Sequence, residues 1–188
     1  MRYVISEMDK ITLDTNVLRD WAWSEGGSLE NRYGNLNTKK EEIQQLVQRL
    51  KSLRDRGACE LGVTTQLYTD YDHKKPDNLP GYIREMIGPY VNVAKPAIFT
   101  FPLEFPVKFV DKEKVKEIFE VIFPNAEPGD KNYDMNHKDA LLLYAHMMAE
   151  RDIFITSDTA ILRQRDLLEQ KWGIKVKTLI EYVTKKLS

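Results

Sequence analysis

The chain has 188 residues, a net charge of −1 at pH 7 and an isoelectric point near 6.3, with 42% apolar and 30% charged residues. That length supports one domain with a core of its own, and the near-neutral balance excludes a protein that coats nucleic acid with its whole surface, so such binding needs a local patch. Cys59 is the sole cysteine, which excludes an internal disulfide and a multi-cysteine zinc centre and reads as a small buried apolar residue. The start, Met1 to Lys10, carries Arg2, Glu7, Asp9 and Lys10 and does not resemble a signal peptide. No apolar run approaches a membrane span, so the expected location is the cytoplasm.

In chain order, Lys10-Ile11-Thr12-Leu13-Asp14 reads as a short buried strand that ends on a carboxylate, with Thr15-Asn16-Val17-Leu18 leading into an apolar helical stripe that runs to Trp21 and Ala22. Ser24 to Asn37 is polar and Gly-bearing, a loop near the mouth of any site at that strand end. Thr38 with Glu41 has the form of a capping box. Ile43, Leu46, Val47, Leu50 and Leu53 then follow at helical spacing until Gly57. Glu60 to Thr64 is the second expected strand, followed by a helix through Asp70 and Tyr71.

From Asp72 the composition changes. All eight prolines lie between Pro76 and Pro128. Short extended pieces are expected at Tyr90 to Val93 and Ile98 to Phe101, and a clear helix over Asp111 to Phe123. The segment from about 72 to 128 reads as an insertion that decorates a single domain spanning 1–188 and selects a substrate or partner. Regular alternation then returns: a nearly all-apolar helix over Lys138 to Glu150 capped by Asn136 or His137, a strand over Asp152 to Thr156, a helix from Thr159 to Trp172 stopped by Gly173, a strand at Ile174 to Val176, and a final helix from Leu179 to Leu187 capped by Thr178. This βαβα rhythm predicts an α/β fold with a mainly parallel sheet and helices on both faces.

Carboxylates fall where buried elements would not favour them: Asp14 at the first strand end, Asp70 or Asp72 after the second strand, Asp139 at the head of the apolar helix, and Asp158 after Phe154-Ile155-Thr156. Each has a plain structural explanation. Asp139 fits a helix-dipole residue, Asp158 an N-cap and Asp70 a solvated helix position, whereas an Asp that closes an apolar strand is harder to place without a function. Gathered carboxylates repel one another and raise their pKa values, and a hard divalent cation with oxygen ligands relieves that repulsion.

The residues Leu13-Asp14-Thr15-Asn16, His137-Lys138-Asp139-Ala140 and Ile155-Thr156-Ser157-Asp158 resemble, in order, the motifs of the PIN-domain nucleases. The family's second acid follows a Ser/Thr at the end of strand two. Asp70 matches that position best here, although the family more often carries Glu, and Asp72 is the alternative. The resemblance covers Lys10 to about Tyr71 and Asn136 to Val176, not the proline-bearing segment. It implies a three-layer α/β/α fold and a Mg²⁺- or Mn²⁺-dependent endoribonuclease. Asp14, Asp70, Asp139 and Asp158 would hold the metal directly or through water, Asn16 would support them by hydrogen bonding, and Thr156 or Ser157 would orient an acid or a water. RNA is the implied substrate. An antitoxin or other protein is the implied partner, while the length exceeds that of typical toxins of this kind; a homodimer is a separate expectation.

Arg163 and Arg165 follow Asp158 and Lys138 adjoins Asp139, positions suited to phosphate contacts, with a solvated helix face as the plainer reading. His146, within the apolar helix, reads as a hydrogen-bonded core histidine. A haloacid-dehalogenase-like phosphatase needs a second Asp where Asn16 stands, and no Gly-rich phosphate loop is present. The serious rival is a PIN-like module that binds RNA or protein without cleaving.

Overall fold

The computed structural model describes residues 8–18, 37–64, 91–93 and 111–187. Five strands form one sheet: β1 (Asp9–Leu13), β2 (Cys59–Thr64), β3 (Val91–Val93), β4 (Ile153–Ile155) and β5 (Val176–Lys177). Every pairing is parallel and the spatial order is β3-β2-β1-β4-β5. The chain therefore winds outward in one direction from β1 to β3, then crosses over to β4 on the other side of β1. That reversal makes the gap between β1 and β4 the topological switch point, where open parallel sheets leave a crevice beyond the carboxyl ends of their strands.

Pleating sorts side chains into two cores. Ile11 and Leu13 of β1 and Ile153 and Ile155 of β4 lie in one cluster, packed against Ile43, Val47, Leu50 and Leu53 of α1 (Asn37–Asp55) and Tyr182 and Val183 of α6 (Leu179–Leu187). Phe154 and Val176, of opposite parity, lie in the other cluster. Their partners there come from α2 (Lys112–Ile122), α3 (Tyr133–Met148), α4 (Thr159–Arg163) and α5 (Arg165–Trp172). Leu50, Phe154 and Leu143 are fully buried, and each such side chain contributes about 1.5–3 kcal/mol. Helices thus cover both faces of the sheet. Among the described residues no helix is long and apolar enough to cross a membrane.

Local chemistry sets the ends of the elements. Gly57 and Gly173 adopt φ of +71° and close α1 and α5, the left-handed geometry that glycine accepts without a Cβ penalty. Thr178 and Glu181 exchange hydrogen bonds of 3.2 and 2.8 Å as a capping box for α6. Asp111 caps α2 through the Lys114 N–H at 3.1 Å. Arg151, buried in the turn between α3 and β4, donates to the Glu60 carboxylate at 2.7 Å and to the Ile11 and Glu60 carbonyls at 2.8 and 3.0 Å, tying that turn to β1 and β2.

Strands β1, β2 and β4 and helix α2 match the sequence reading to within a residue at each end, while other boundaries differ. Helix α1 starts at Asn37, one residue before the expected Thr38 cap. Helix α3 starts at Tyr133 rather than Lys138 and carries no side-chain cap, because Tyr133 packs on Phe119 at 5.1 Å and the added turn buries apolar area that outweighs the Asn136 and His137 cap signals. The helix expected over Thr159 to Trp172 is broken at Gln164, whose φ of −102° and ψ of 8° turn the ladder to an i→i−3 bond onto Ile161. The last strand lies at Val176–Lys177 instead of Ile174 to Val176. The segment read as an insertion also supplies parts of the fold. Val91–Val93 extends the sheet, and α2 buries Val115, Ile118, Phe119 and Ile122 against α3. Residues 72–90 and 94–110 lie outside the described residues.

Candidate functional site

Asp14 follows β1 directly, and its backbone N–H continues the ladder to the Ile155 carbonyl at 2.9 Å. Its side chain shares the parity of Thr12, which contacts α3, so it leaves the sheet on the α3 side. Thr156 follows β4 with the parity of Phe154 and points to the same side. The two meet: the Thr156 hydroxyl donates to Asp14 Oδ2 at 2.5 Å, and Asn16 Nδ2 donates to the same oxygen at 3.4 Å. Thr156 is fully buried and Asp14 is 4% exposed, whereas Ser157 is exposed. Of the two hydroxyls considered from sequence, Thr156 is the one that touches the acid.

The Thr156 oxygen also accepts from the Asp158 N–H at 2.9 Å. This bond folds the chain back so that Asp158 caps α4, its Oδ1 accepting from the Ala160 and Ile161 N–H groups at 2.8 and 3.1 Å. Asp158 therefore performs the capping role that its sequence position allowed, while its charge still acts on Asp14. Burial first, and then the Asp158 charge, push the Asp14 carboxyl up to about 6, against the lowering effect of the Thr156 hydrogen bond. Near neutral pH a buried anion stands beside a second carboxylate at the switch-point crevice.

The structure corrects the setting of Asp139. With α3 starting at Tyr133, Asp134 occupies the first turn and Asp139 lies further along the helix, so the helix-dipole explanation loses its basis. His146 Nδ1 lies 2.9 Å from Thr12 Oγ1, which fixes the height of α3 against β1. Asp139 stands seven residues earlier on the same helix face, about 10 Å nearer the carboxyl edge, while Asp14 is only about 7 Å beyond Thr12 along the strand. This sets Asp139 toward the carboxyl edge on the α3 side of the sheet, but Asp14, Asp139 and Asp158, expected together, do not form a group close enough to hold a metal ion. It is half-buried. Asp70 and Asp72 lie outside the described residues.

His146 is the core histidine that its apolar helix suggested. It packs edge-on against Phe154, and burial, reinforced by the Arg151 charge, lowers its pKa to about 4. Arg163 and Lys138 are exposed. Arg165 pairs with Glu181 at 2.9 Å and ties α5 to α6. The Arg151–Glu60 pair carried no motif signal, since it joins residues more than 90 positions apart in sequence, whereas the role of Thr156 was signalled only as one shared with Ser157.

Among the described residues no group of three acidic, histidine or cysteine side chains stands close enough to hold a metal ion. The partial set that is present suits a hard cation. Asp14 and Asp158 are oxygen donors, and the raised Asp14 pKa marks a carboxylate that nearby positive charge would stabilise. A Mg²⁺-type ion keeps several waters and needs only one or two protein carboxylates. In comparisons with known proteins, no family model and no curated protein matches the chain.

Proposed function

We propose that the crevice between β1 and β4 is the active centre of a divalent-metal-dependent endoribonuclease that hydrolyses RNA phosphodiester bonds, and that the whole domain is a three-layer, PIN-like α/β/α fold. The observation that carries this reading is the buried Asp14 carboxylate, raised to about 6 beside Asp158 at the topological switch point. A carboxylate kept in that state costs stability unless a ligand offsets it. The strand-end motifs of the PIN-domain nucleases, resembled by this sequence, account for an acid held there.

Asp14 and Asp158 would hold Mg²⁺ or Mn²⁺, with Asp139 and Asp70 completing the set directly or through water. When bound, such an ion supplies activated water and charge neutralisation at a phosphate. Thr156 fixes the Asp14 carboxylate and, through the Asp158 N–H, the start of α4, so both acids are positioned before substrate arrives. Asn16 adds a donor on the Asp14 oxygen. Lys138 and Arg163, both exposed, would contact RNA phosphates. Arg165 would do so only by giving up Glu181.

A second reading has an observation of its own. Asp158 Oδ1 is engaged as a helix cap, and no described group of three ligands is present, as in a PIN-like module that binds RNA or a protein partner without cleaving. Calorimetric titration with Mn²⁺ separates the two. The nuclease reading expects saturable binding that Asp14→Asn abolishes or weakens at least tenfold; the binding-only reading expects no Mn²⁺ uptake dependent on Asp14.

A further inference from the structure

The sheet edge opposite the acids holds a second feature. The amino ends of β1, β4 and β5, with α6 above them, enclose a half-open groove of about 1040 Å³, at the upper end of the size range of small-molecule sites. Lys175 and Lys177 flank Val176, which is buried in the α3 and α5 cluster, so alternation sends both lysines to the opposite face, the one covered by α6. The last turn of α6 brings Lys185 and Lys186 to the same place. Asp9 holds Lys186 at 3.0 Å. The Lys177 ammonium is held below its ordinary range, first by burial and then by the charge of Lys185, with Lys175 adding to the repulsion and Asp9 opposing it.

We propose that this groove binds a small phosphate monoester, with Lys175, Lys177 and Lys185 gathered on the phosphate. A dianion accepts charge-assisted hydrogen bonds from several ammonium groups at once and relieves their mutual repulsion. The acidic part of the lining limits the size of the ligand. Glu150, Asp152 and Glu169 also line the groove, and a polyanion laid along it would meet them. A compact ligand with one phosphate end avoids these carboxylates and offers them hydroxyl or amino donors from its other end. This site is separate from the acid crevice and does not depend on its function.

The test is calorimetry on the full chain at low salt with adenosine monophosphate, ribose 5-phosphate and adenosine. Saturable binding of either phosphate ester, at least tenfold tighter than adenosine, is expected, and the identity of the better ester separates a nucleotide from a sugar phosphate. The double variant Lys175→Gln/Lys177→Gln should weaken that binding tenfold or more, and Asp14→Asn should leave it unchanged. Lys175→Gln alone, at an exposed position, should weaken it measurably and covers the case in which the double variant does not fold. Absence of saturation by both esters, or equal affinity in wild type and in Lys175→Gln, would overturn the proposal. So would a ten-nucleotide RNA binding through these lysines while the small esters do not.

Discussion

The hydroxyl of Thr156 donates to the Asp14 carboxylate at 2.5 Å while accepting from the Asp158 N–H at 2.9 Å, so one side chain links the ends of two neighbouring strands at the switch point of the sheet. The bond to Asp14 is buried and the one from Asp158 partly buried, with Thr156 itself fully buried. Removing the hydroxyl leaves a part-buried N–H and a buried carboxylate each short of a partner.

Thr156→Val should therefore destabilise the protein by about 1–3 kcal/mol and raise the Asp14 pKa further, since the lost bond is one that lowers it. Thr156→Ser should restore most of both. Denaturant melts give the stability, and a carbon-13 titration of the Asp14 carboxyl gives the pKa. An Asp14 pKa that does not move in Thr156→Val would show that the hydroxyl does not act on the acid.

Asp14→Asn should stabilise the metal-free protein at neutral pH. The folded carboxyl titrates near 6 and its ordinary value is 3.8. A raised folded pKa gives stability that is complete below about pH 3.8 and lost as pH climbs through 6, a loss of about 3 kcal/mol. The difference between variant and wild type should accordingly be small at pH 3.5 to 4 and grow to about 2–3 kcal/mol by pH 7. Urea melts across that range measure it, and a difference independent of pH would contradict the Asp14 assignment.

His146 works in the opposite sense. Its folded pKa is near 4 against an ordinary 6.5. Its contribution is complete above about pH 6.5 and disappears as pH falls through 4, again by about 3 kcal/mol. Across pH 4 to 7 the two linkages nearly cancel in the wild type. Asp14→Asn should uncover the His146 slope, with stability rising as pH rises. His146→Asn should uncover the Asp14 slope, with stability falling as pH rises. Parallel pH profiles for the two variants would contradict this assignment.

Phe119→Ala should cost about 3–5 kcal/mol, the usual penalty for a large aromatic side chain removed from a core. Phe119 packs against Phe123, Tyr133 and His137 and is 5% exposed. A loss below 1 kcal/mol by thermal or chemical melting would mean that α2 decorates the domain rather than belonging to its core.

Periodicity carried the regular elements. The stripe through Ile43, Val47, Leu50 and Leu53 and the run Val115, Ile118, Phe119 and Ile122 are buried as their spacing requires. The strand ends at Asp14 and Thr156 follow from short apolar runs that meet a polar residue. The extent of α3 was hidden, because the packing of Tyr133 on Phe119 overrides the local cap signals. Helix α2, although read as a helix, looked like decoration, since proline content marks loops but says nothing about which intervening helix packs on the sheet. The hold of Thr156 on Asp14 was legible only as a role open to two hydroxyls; strand parity, visible once the sheet order is known, selects one of them. The lysine groove left only the faint signal of Lys175-Val176-Lys177 and Lys185-Lys186, which no motif joins.

Cleavage of a labelled single-stranded RNA by the purified protein, with and without Mg²⁺ or Mn²⁺, tests the central claim most directly. Metal-dependent hydrolysis is predicted, stopped by chelator, restored by Mn²⁺, and reduced by roughly 10² or more in Asp14→Asn, the scale of loss when a group stabilising transition-state charge is removed. Wild-type protein that binds RNA without metal-dependent cleavage, together with an Asp14→Asn variant that changes neither binding nor activity, would contradict the account and leave a binding-only module.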